Sequence, residues 1–420
     1  MFSMGFFEIL GLGELYQNTI GILAFLLSWA PYWLPVLLFM IFEHEWMNFV
    51  RAQWRAKLKY IMLEVKLPRE IHKSPLAMEI ALNALYQTAQ GPGWHKWWRG
   101  RVRDEFSLEM VSIGGQIHFF IRCLGSYKDL VETHLYAQYP DIEIFEVPDY
   151  TLYVDYRGKE GDWDVFAAEY KLSKPDAYPI KTYVDFGLDK EGIKEEFKID
   201  PLTSVIEYLG SMRPGEQLWI QIILRAATKR YKKSDGTMGD WKDEGKDLIK
   251  NFVEKLTKQR GGTDPMGMPM FKMMMLTEVE KEIVTAVQRS VGKLGFDCGI
   301  RSMYVAKKGK MNYGNVKGMS GLFRAFSSLN LNSFELDGES YGFQSPWQDY
   351  KDLYLTYKRK KHFKAYKQRS WFYRPRKLQP FVLNLEEIAT IFHFPGGVAQ
   401  TPTFGRIPSR KSEPPVNLPI

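Results

Sequence analysis

The sequence predicts an α+β protein built from two tandem βαββαβ units behind an apolar N-terminal helix. Three observations carry this. An uncharged stretch runs from Leu15 to Phe42, the order strand, helix, hairpin, helix, strand follows between Tyr60 and Val147, and a similar order recurs up to Ala306. At 420 residues, with 45% hydrophobic and 25% charged residues, the chain has the composition of a folded protein and exceeds one ordinary domain. Aromatic residues reach 15%, and the formal charge of +8 is modest, so the placement of the cations matters more than their sum. Cys123 and Cys298 are far apart and lack metal-ligand spacing, as expected of free core thiols in a reducing compartment.

The stretch Ile20 to Phe42 is long enough to cross roughly 30 Å of hydrocarbon at about 1.5 Å per residue. No Lys or Arg precedes it, whereas Arg51, Arg55, Lys57 and Lys59 follow. The positive-inside rule then predicts a single-pass anchor in the cell (inner) membrane, with the body of the chain cytoplasmic. Pro31 and Pro35 would bend that span or make it re-entrant. Residues 1–45 are thus expected to form the anchor and 46–58 a linker helix.

Residues 59–150 form the first unit. In "KYIMLEVKL", Ile61, Leu63, Val65 and Leu67 alternate onto one face of a strand. Ser74 and Pro75 are N-cap and first residue of a helix with the stripe Met78, Ala81, Leu82, Leu85 and Ala89. Two alternating runs, Phe106–Leu108–Met110 and Ile117–Phe119–Ile121–Cys123, meet at a Gly114-Gly115 hairpin turn. A helix opened by Ser126 and a strand from Ile142 to Val147 complete the ferredoxin-like split βαβ order.

Residues 151–310 repeat it with an insertion at 229–268. The elements expected are a strand at "YPIKTYVDF" (Tyr178 to Phe186), a helix from Asp200-Pro201 to Leu209, and a buried strand at "EQLWIQIILRAAT". A polar helix (Trp241 to Lys258) falls in the insertion. "MFKMMML" follows as a strand, then a helix opened by the capping box Thr277/Glu280, and a closing strand from Gly299 to Ala306. Residues 311–380 read as a Gly-rich helix (about Val316 to Leu329) and an irregular basic, aromatic region. Residues 381–420 read as a linker helix with an extended Pro-rich tail. In that helix Asn384 is the N-cap, Glu387 completes a capping box, and Leu383 and Ile388 are placed as a hydrophobic staple. The fold class is therefore α+β: a transmembrane helix, two tandem ferredoxin-like modules, and a C-terminal helix with a tail.

No catalytic constellation stands out. "SVGKLG" and "GNVKGMSG" both lack the G-x-x-x-x-G-K-[ST] pattern that cradles phosphates. Glu43, His44 and Glu45 are consecutive and so cannot share a helix face as metal ligands. No Gly-x-Ser-x-Gly elbow or Cys/His nucleophile pair stands out. A non-enzymatic protein without cofactor or metal is expected.

Two basic aromatic patches remain. Around Trp94, Trp97 and Trp98, four cations between Lys96 and Arg103 fit a membrane interface, stacking on single-stranded nucleic acid, or packing within the protein. The run Tyr357 to Lys377 is denser and has no acidic residue. Lys358, Arg359, Lys360, Lys361, Lys364, Lys367, Arg369, Arg374, Arg376 and Lys377 fit DNA phosphates, an anionic lipid leaflet, or a solvated linker.

The stretch "SLEMVSIGGQIHFFIRCLGSYKDLVETHLYAQYPDIEIFEVPDY" (Ser107 to Tyr150) resembles the region that precedes the motor in type IV secretion and conjugative-transfer ATPases of the FtsK/HerA superfamily. "LNLEEIATIFHFP" with "TPTFGRIPSRKSEPPVNLP" is similar to that family's linker into its nucleotide-binding domain. The sequence stops where the family's Walker A domain would begin, so the resemblance implies either a motor on another polypeptide or a truncation. It further implies a membrane-anchored translocation component that recruits an FtsK/HerA-type ATPase through the apolar face Leu385, Ile388, Ala389 and Phe392. The alternative is a membrane-tethered nucleic-acid-binding protein acting without a motor. Expected partners are membrane lipid and the ATPase, with DNA and a second copy of the chain left open.

Overall fold

The computed structural model describes all residues except 1–18, 20, 23, 26, 69–70, 72, 89–92, 191–198, 230, 234–235, 261–276, 340–348, 350–351, 375 and 397–420, and the side chains of 256–260 and 338–339. In chain order the elements begin with α1 (Ala30–Lys57), β1 (Tyr60–Lys66), α2 (Pro75–Leu82), α3 (Gly93–Trp98), β2 (Phe106–Ile113), β3 (Gln116–Leu124), α4 (Lys128–Gln138) and β4 (Glu143–Val147). They continue with β5 (Trp163–Leu172), α5 (Leu202–Gly210), β6 (Glu216–Ala226), β7 (Tyr231–Lys232), β8 (Met238–Gly239), α6 (Trp241–Arg260) and α7 (Glu278–Val291). Last come β9 (Gly295–Lys307), α8 (Tyr313–Gly318), β10 (Phe334–Glu339), α9 (Leu353–Lys367), β11 (Phe381–Asn384) and α10 (Leu385–Ile391). The chain divides into two compact units, Met1–Leu58 with Gln90–Val102 and Lys59–Ala89 with Arg103–Ile420.

In the first unit, the apolar half of α1, Ala30 to Phe42, is about 20 Å long at about 1.5 Å per residue, well short of a roughly 30 Å hydrocarbon core. Beyond it Glu43, Glu45, Arg51, Arg55 and Lys57 make the helix polar. Among the described residues no helix is long and apolar enough to cross a membrane. This overturns the expected transmembrane anchor, and with it the inner-membrane location and membrane topology. Residues 20, 23 and 26 of the expected span lie outside the described residues. Packing comes from the polar half, where the Trp46 ring stands 6.3 Å from Trp97 and 6.2 Å from Trp98. Gly100 (φ +64°) passes the helix so closely that a Cβ would stand 2.3 Å from the Val50 carbonyl carbon, which only glycine avoids.

The second unit is built on one antiparallel nine-stranded sheet, ordered β10-β5-β9-β6-β2-β3-β1-β4 with β11 also pairing β9. Its two halves, β4-β1-β3-β2 and β6-β9-β5-β10, each have a split βαβ order. They are fused rather than separate modules: β2 and β6 pair from Phe106↔Leu224 to Ile113↔Gln217. The Gly114-Gly115 turn has φ of +59° and +93°, as a tight hairpin needs.

In the second half the strands differ from those expected. The first is β5, whose central residues are buried on both faces, so "WDVFAAEYKL" shows no alternation. Tyr178 to Phe186 is not a strand. Its backbone N–H groups go elsewhere: Ile180 to Glu387 Oε1, Thr182 to Asp185 Oδ2 and Tyr183 to Thr390 Oγ1. The run Gly299 to Ala306 belongs to the third strand, β9, and β10 is the fourth. "MFKMMML" and the Pro-rich tail lie outside the described residues.

Both faces of the sheet are covered. One packs against α2, α4, α5 and α10 through residues such as Met78, Leu135, Ile206 and Ile388. On the other, Val111, Trp219, Met303 and Val305 meet Phe363 and Tyr366 of α9.

Candidate functional site

Beneath α9 the sheet carries a line of polar side chains. Glu109 of β2 stands opposite Gln221 of β6, Gln221 opposite Arg301 of β9, and Arg301 opposite Glu169 of β5. None is more than 2% exposed. Charges at this depth persist only when paired and hydrogen-bonded, and the segment that begins with α9 supplies the partners. Arg369 donates from Nε to Glu109 Oε1 (3.0 Å), and from Nη2 to Glu109 Oε2 (3.1 Å) and Asp149 Oδ1 (3.0 Å). The Ser107 and Tyr150 hydroxyls and Gln221 Nε2 complete the Glu109 shell at 2.6, 2.7 and 2.8 Å. Arg301 donates to Gln221 Oε1 and to the backbone carbonyls of Ala365 and Ser370. Arg376 Nε donates to Glu169 Oε1 at 2.6 Å.

Burial pushes the Glu109 and Asp149 carboxyls up, but the Arg369 guanidinium outweighs it and holds both below the usual carboxylate range. Burial lowers Arg301 to about 10, which leaves it charged at neutral pH. Arg369 also ends α9. It has φ +48°, and the bonds Arg369 N to Tyr366 O and Ser370 N to Ala365 O close a Schellman motif. Glycine is the usual residue at that position, so the arginine is there for its side chain.

His362 of α9 also enters this layer, with Nδ1 3.5 Å from Glu169 Oε1 and no hydrogen-bond partner at Nε2 among the described residues. Burial first, then the charges of Arg376, Lys358 and Arg301, depress its pKa to about 3, so it is neutral. An unfolded histidine takes up its proton near pH 6.5, so stability should fall by about 1.4 kcal/mol per pH unit as pH drops from there towards 3. Urea unfolding of His362→Gln across that window should show a shallower slope; an unchanged slope would assign the loss to other groups.

The rest of the basic run lies outside this layer. On α9 Lys360, Lys361 and Lys364 are exposed, Lys358, Arg359 and Lys367 are half-buried, and further on Arg374 and Lys377 are exposed. Helical phase does the sorting: His362, Phe363, Ala365 and Tyr366 face the sheet, so Tyr357, Lys360, Lys361 and Lys364 face away. None of those three lysines is ion-paired among the described residues. The run is therefore neither a linker nor uniform; two of its arginines, Arg369 and Arg376, pin a helix whose outer face is a lysine cluster.

The other expected sites fare differently. The Trp97 and Trp98 rings stand beside Trp46, whose Nε1 donates to the Trp97 carbonyl at 3.3 Å, but Trp98 as well as Trp94 is exposed. α10 has its capping box, with Asn384 Oδ1 accepting from Glu387 N and Glu387 Oε2 from Asn384 N, both at 2.8 Å. Its apolar face cannot receive a partner, however. Leu385, Ile388, Ala389 and Phe392 are at most 5% exposed and lie in the protein's own core. Its polar face is internal too, with Glu386 paired to Arg289 (3.1 Å) and Lys293 (2.9 Å) of the α7 region. Burial raises the Glu387 carboxyl to about 8 despite its backbone donors.

A cleft of about 480 Å³ opens where β5, β10 and β11 approach α6, lined by Lys171, Lys232, Trp241, Glu244 and Asp337 among others. Lys171 and Asp337 already pair across it at 3.4 Å. No group of three or more His, Cys, Asp or Glu among the described residues could hold a metal ion. The polar row itself was missed in the sequence, although Glu109 and Arg301 are charges inside strands, a pattern that signals a buried partner.

A family described as a domain of unknown function (DUF8128) matches residues 78–404. The chain belongs to that family. No curated protein matches the chain. The DUF8128 match takes in the whole polar row together with α9 and α10, and it begins inside α2, after β1.

Proposed function

We propose that the protein is a non-enzymatic, nucleic-acid-contacting component of a type IV secretion-like translocation system, working with an FtsK/HerA-type ATPase. The observation that carries this reading is the outer face of α9. Lys360, Lys361 and Lys364 point away from the sheet without ion-pair partners among the described residues, on a helix held by buried charge pairs. Such a preorganised row of cations suits a phosphate backbone, because each neutralised phosphate releases condensed counterions. The resemblance of Ser107–Tyr150 and of the α10 region to pre-motor regions supplies the machine. Contact with the ATPase is assigned to surfaces other than the enclosed α10.

In fluorescence anisotropy with the full chain and a labelled DNA oligonucleotide, log Kd should vary linearly with log salt. Lys360→Gln/Lys361→Gln/Lys364→Gln should flatten that slope by about 2–3 units, at roughly 0.7–0.9 per phosphate. Binding that ignores salt, or that survives the triple substitution unchanged, contradicts the reading.

A further inference from the structure

The lysine face of α9 is interleaved with exposed rings. Tyr357 is 62% exposed, and Lys360, Lys361 and Lys364 follow it at i+3, i+4 and i+7, so the ring shares one helix face with three lysines. The segment after β4 runs antiparallel beside the helix. Lys367 Nζ lies 3.5 Å from the Val154 carbonyl, the Tyr156 ring 6.1 Å from Phe363, and Lys159 Nζ 2.6 Å from Asp352 Oδ2. At Gly158, a Cβ would be 2.7 Å from Thr356, so the two strips are in contact. Along this segment Val154 and Tyr156 point inward, while Tyr153 is 72% exposed and Arg157 is exposed as well. The result is a strip about one helix long with a tyrosine towards each end; Asp155 pairs Arg157 within it at 2.7 Å, which leaves Lys360, Lys361 and Lys364 as its cations without ion-pair partners among the described residues.

Duplex DNA hides its base faces, and an exposed ring adds little to phosphate binding. Unpaired bases have free π-faces, and protein grooves that combine cations with exposed aromatics bind them by stacking. We infer that the strip formed by Tyr153, Tyr357, Lys360, Lys361 and Lys364 binds single-stranded nucleic acid, the lysines tracking the phosphates and the tyrosines stacking on bases. This rests on the proposed nucleic-acid role and specifies the form bound.

The test compares a labelled 20-nucleotide oligo-dT with a duplex of equal length, using the full chain. The single strand should bind more tightly. Tyr357→Ala and Tyr153→Ala should each weaken its binding about tenfold, leave duplex binding unchanged, and be rescued by Tyr→Trp. Both tyrosines are exposed, so melting temperatures should not move. If the duplex binds as well as the single strand and the tyrosine variants are silent while the lysine variants weaken both, the inference is overturned and the nucleic-acid role stands. If neither nucleic acid binds, the proposed function itself fails.

Discussion

Arg369→Gly should destabilise the second unit by about 1–4 kcal/mol. Removing one partner from a buried charge pair costs about 3–5 kcal/mol, because the other charge is left stranded. Here Glu109, which is wholly buried, would keep only Ser107, Tyr150 and Gln221 as donors. Glycine would recover about 1–2 kcal/mol by removing the left-handed strain at φ +48°, which is why the net figure is smaller. Urea unfolding measures it. The substitution should also make the protein less sensitive to acid. Glu109 and Asp149 have depressed carboxyl pKa values, so their contribution is present above about pH 4 and is lost as pH falls through the folded values. Without Arg369 there is less to lose. A gain in stability would mean that backbone strain, and not the pair, dominates at this position.

Ile388→Asp should unfold the same unit. Ile388 is fully buried against a core shared by both halves of the sheet, and a carboxylate there has no cation to meet. The cost is at least about 4 kcal/mol, through lost packing and an uncompensated buried charge. Asn384→Ala should cost about 1 kcal/mol, the value of an N-cap, because its side chain also receives Glu387 N and donates to Ser290. Thermal unfolding of the full chain separates this from a surface role. A variant that keeps its melting temperature but loses a partner would restore α10 as a docking element.

What the sequence revealed follows from the range of the interactions. The two capping boxes, Thr277/Glu280 and Asn384/Glu387, span three residues and were legible as such. So was the Gly114-Gly115 turn. The strand at Tyr178–Phe186 was misread because its apolar alternation is genuine, yet its backbone donors are captured by side chains from α10, some 200 residues away. β5 was overlooked for the opposite reason: burial on both faces erases the period. An apolar stripe does not say what it covers, so α10 looked as suited to a partner as to its own core. Nor do Glu386 and Glu387 look buried until the fold brings Arg289 and Lys293 to the first and the Ile180 backbone N–H to the second. The basic run showed its charge density in the sequence but not its division of labour. Arg369 and Arg376 find Glu109 and Glu169 only once four strands are aligned in register. At the N-terminus the uncharged stretch was plain, but the charges from Glu43 onward sit on the same helix as its apolar end, and among the described residues no helix is long and apolar enough to cross a membrane.

We propose that nucleic acid lies along the outer face of α9, and lysine footprinting tests this. The full chain would be acetylated briefly with and without a 20-nucleotide oligo-dT, and each lysine's modification read by mass spectrometry. Lys360, Lys361 and Lys364 should be protected several-fold, whereas exposed lysines elsewhere, such as Lys171 and Lys232, should react equally in both samples. Protection spread evenly over all exposed lysines, or confined to residues away from α9, would contradict the claim.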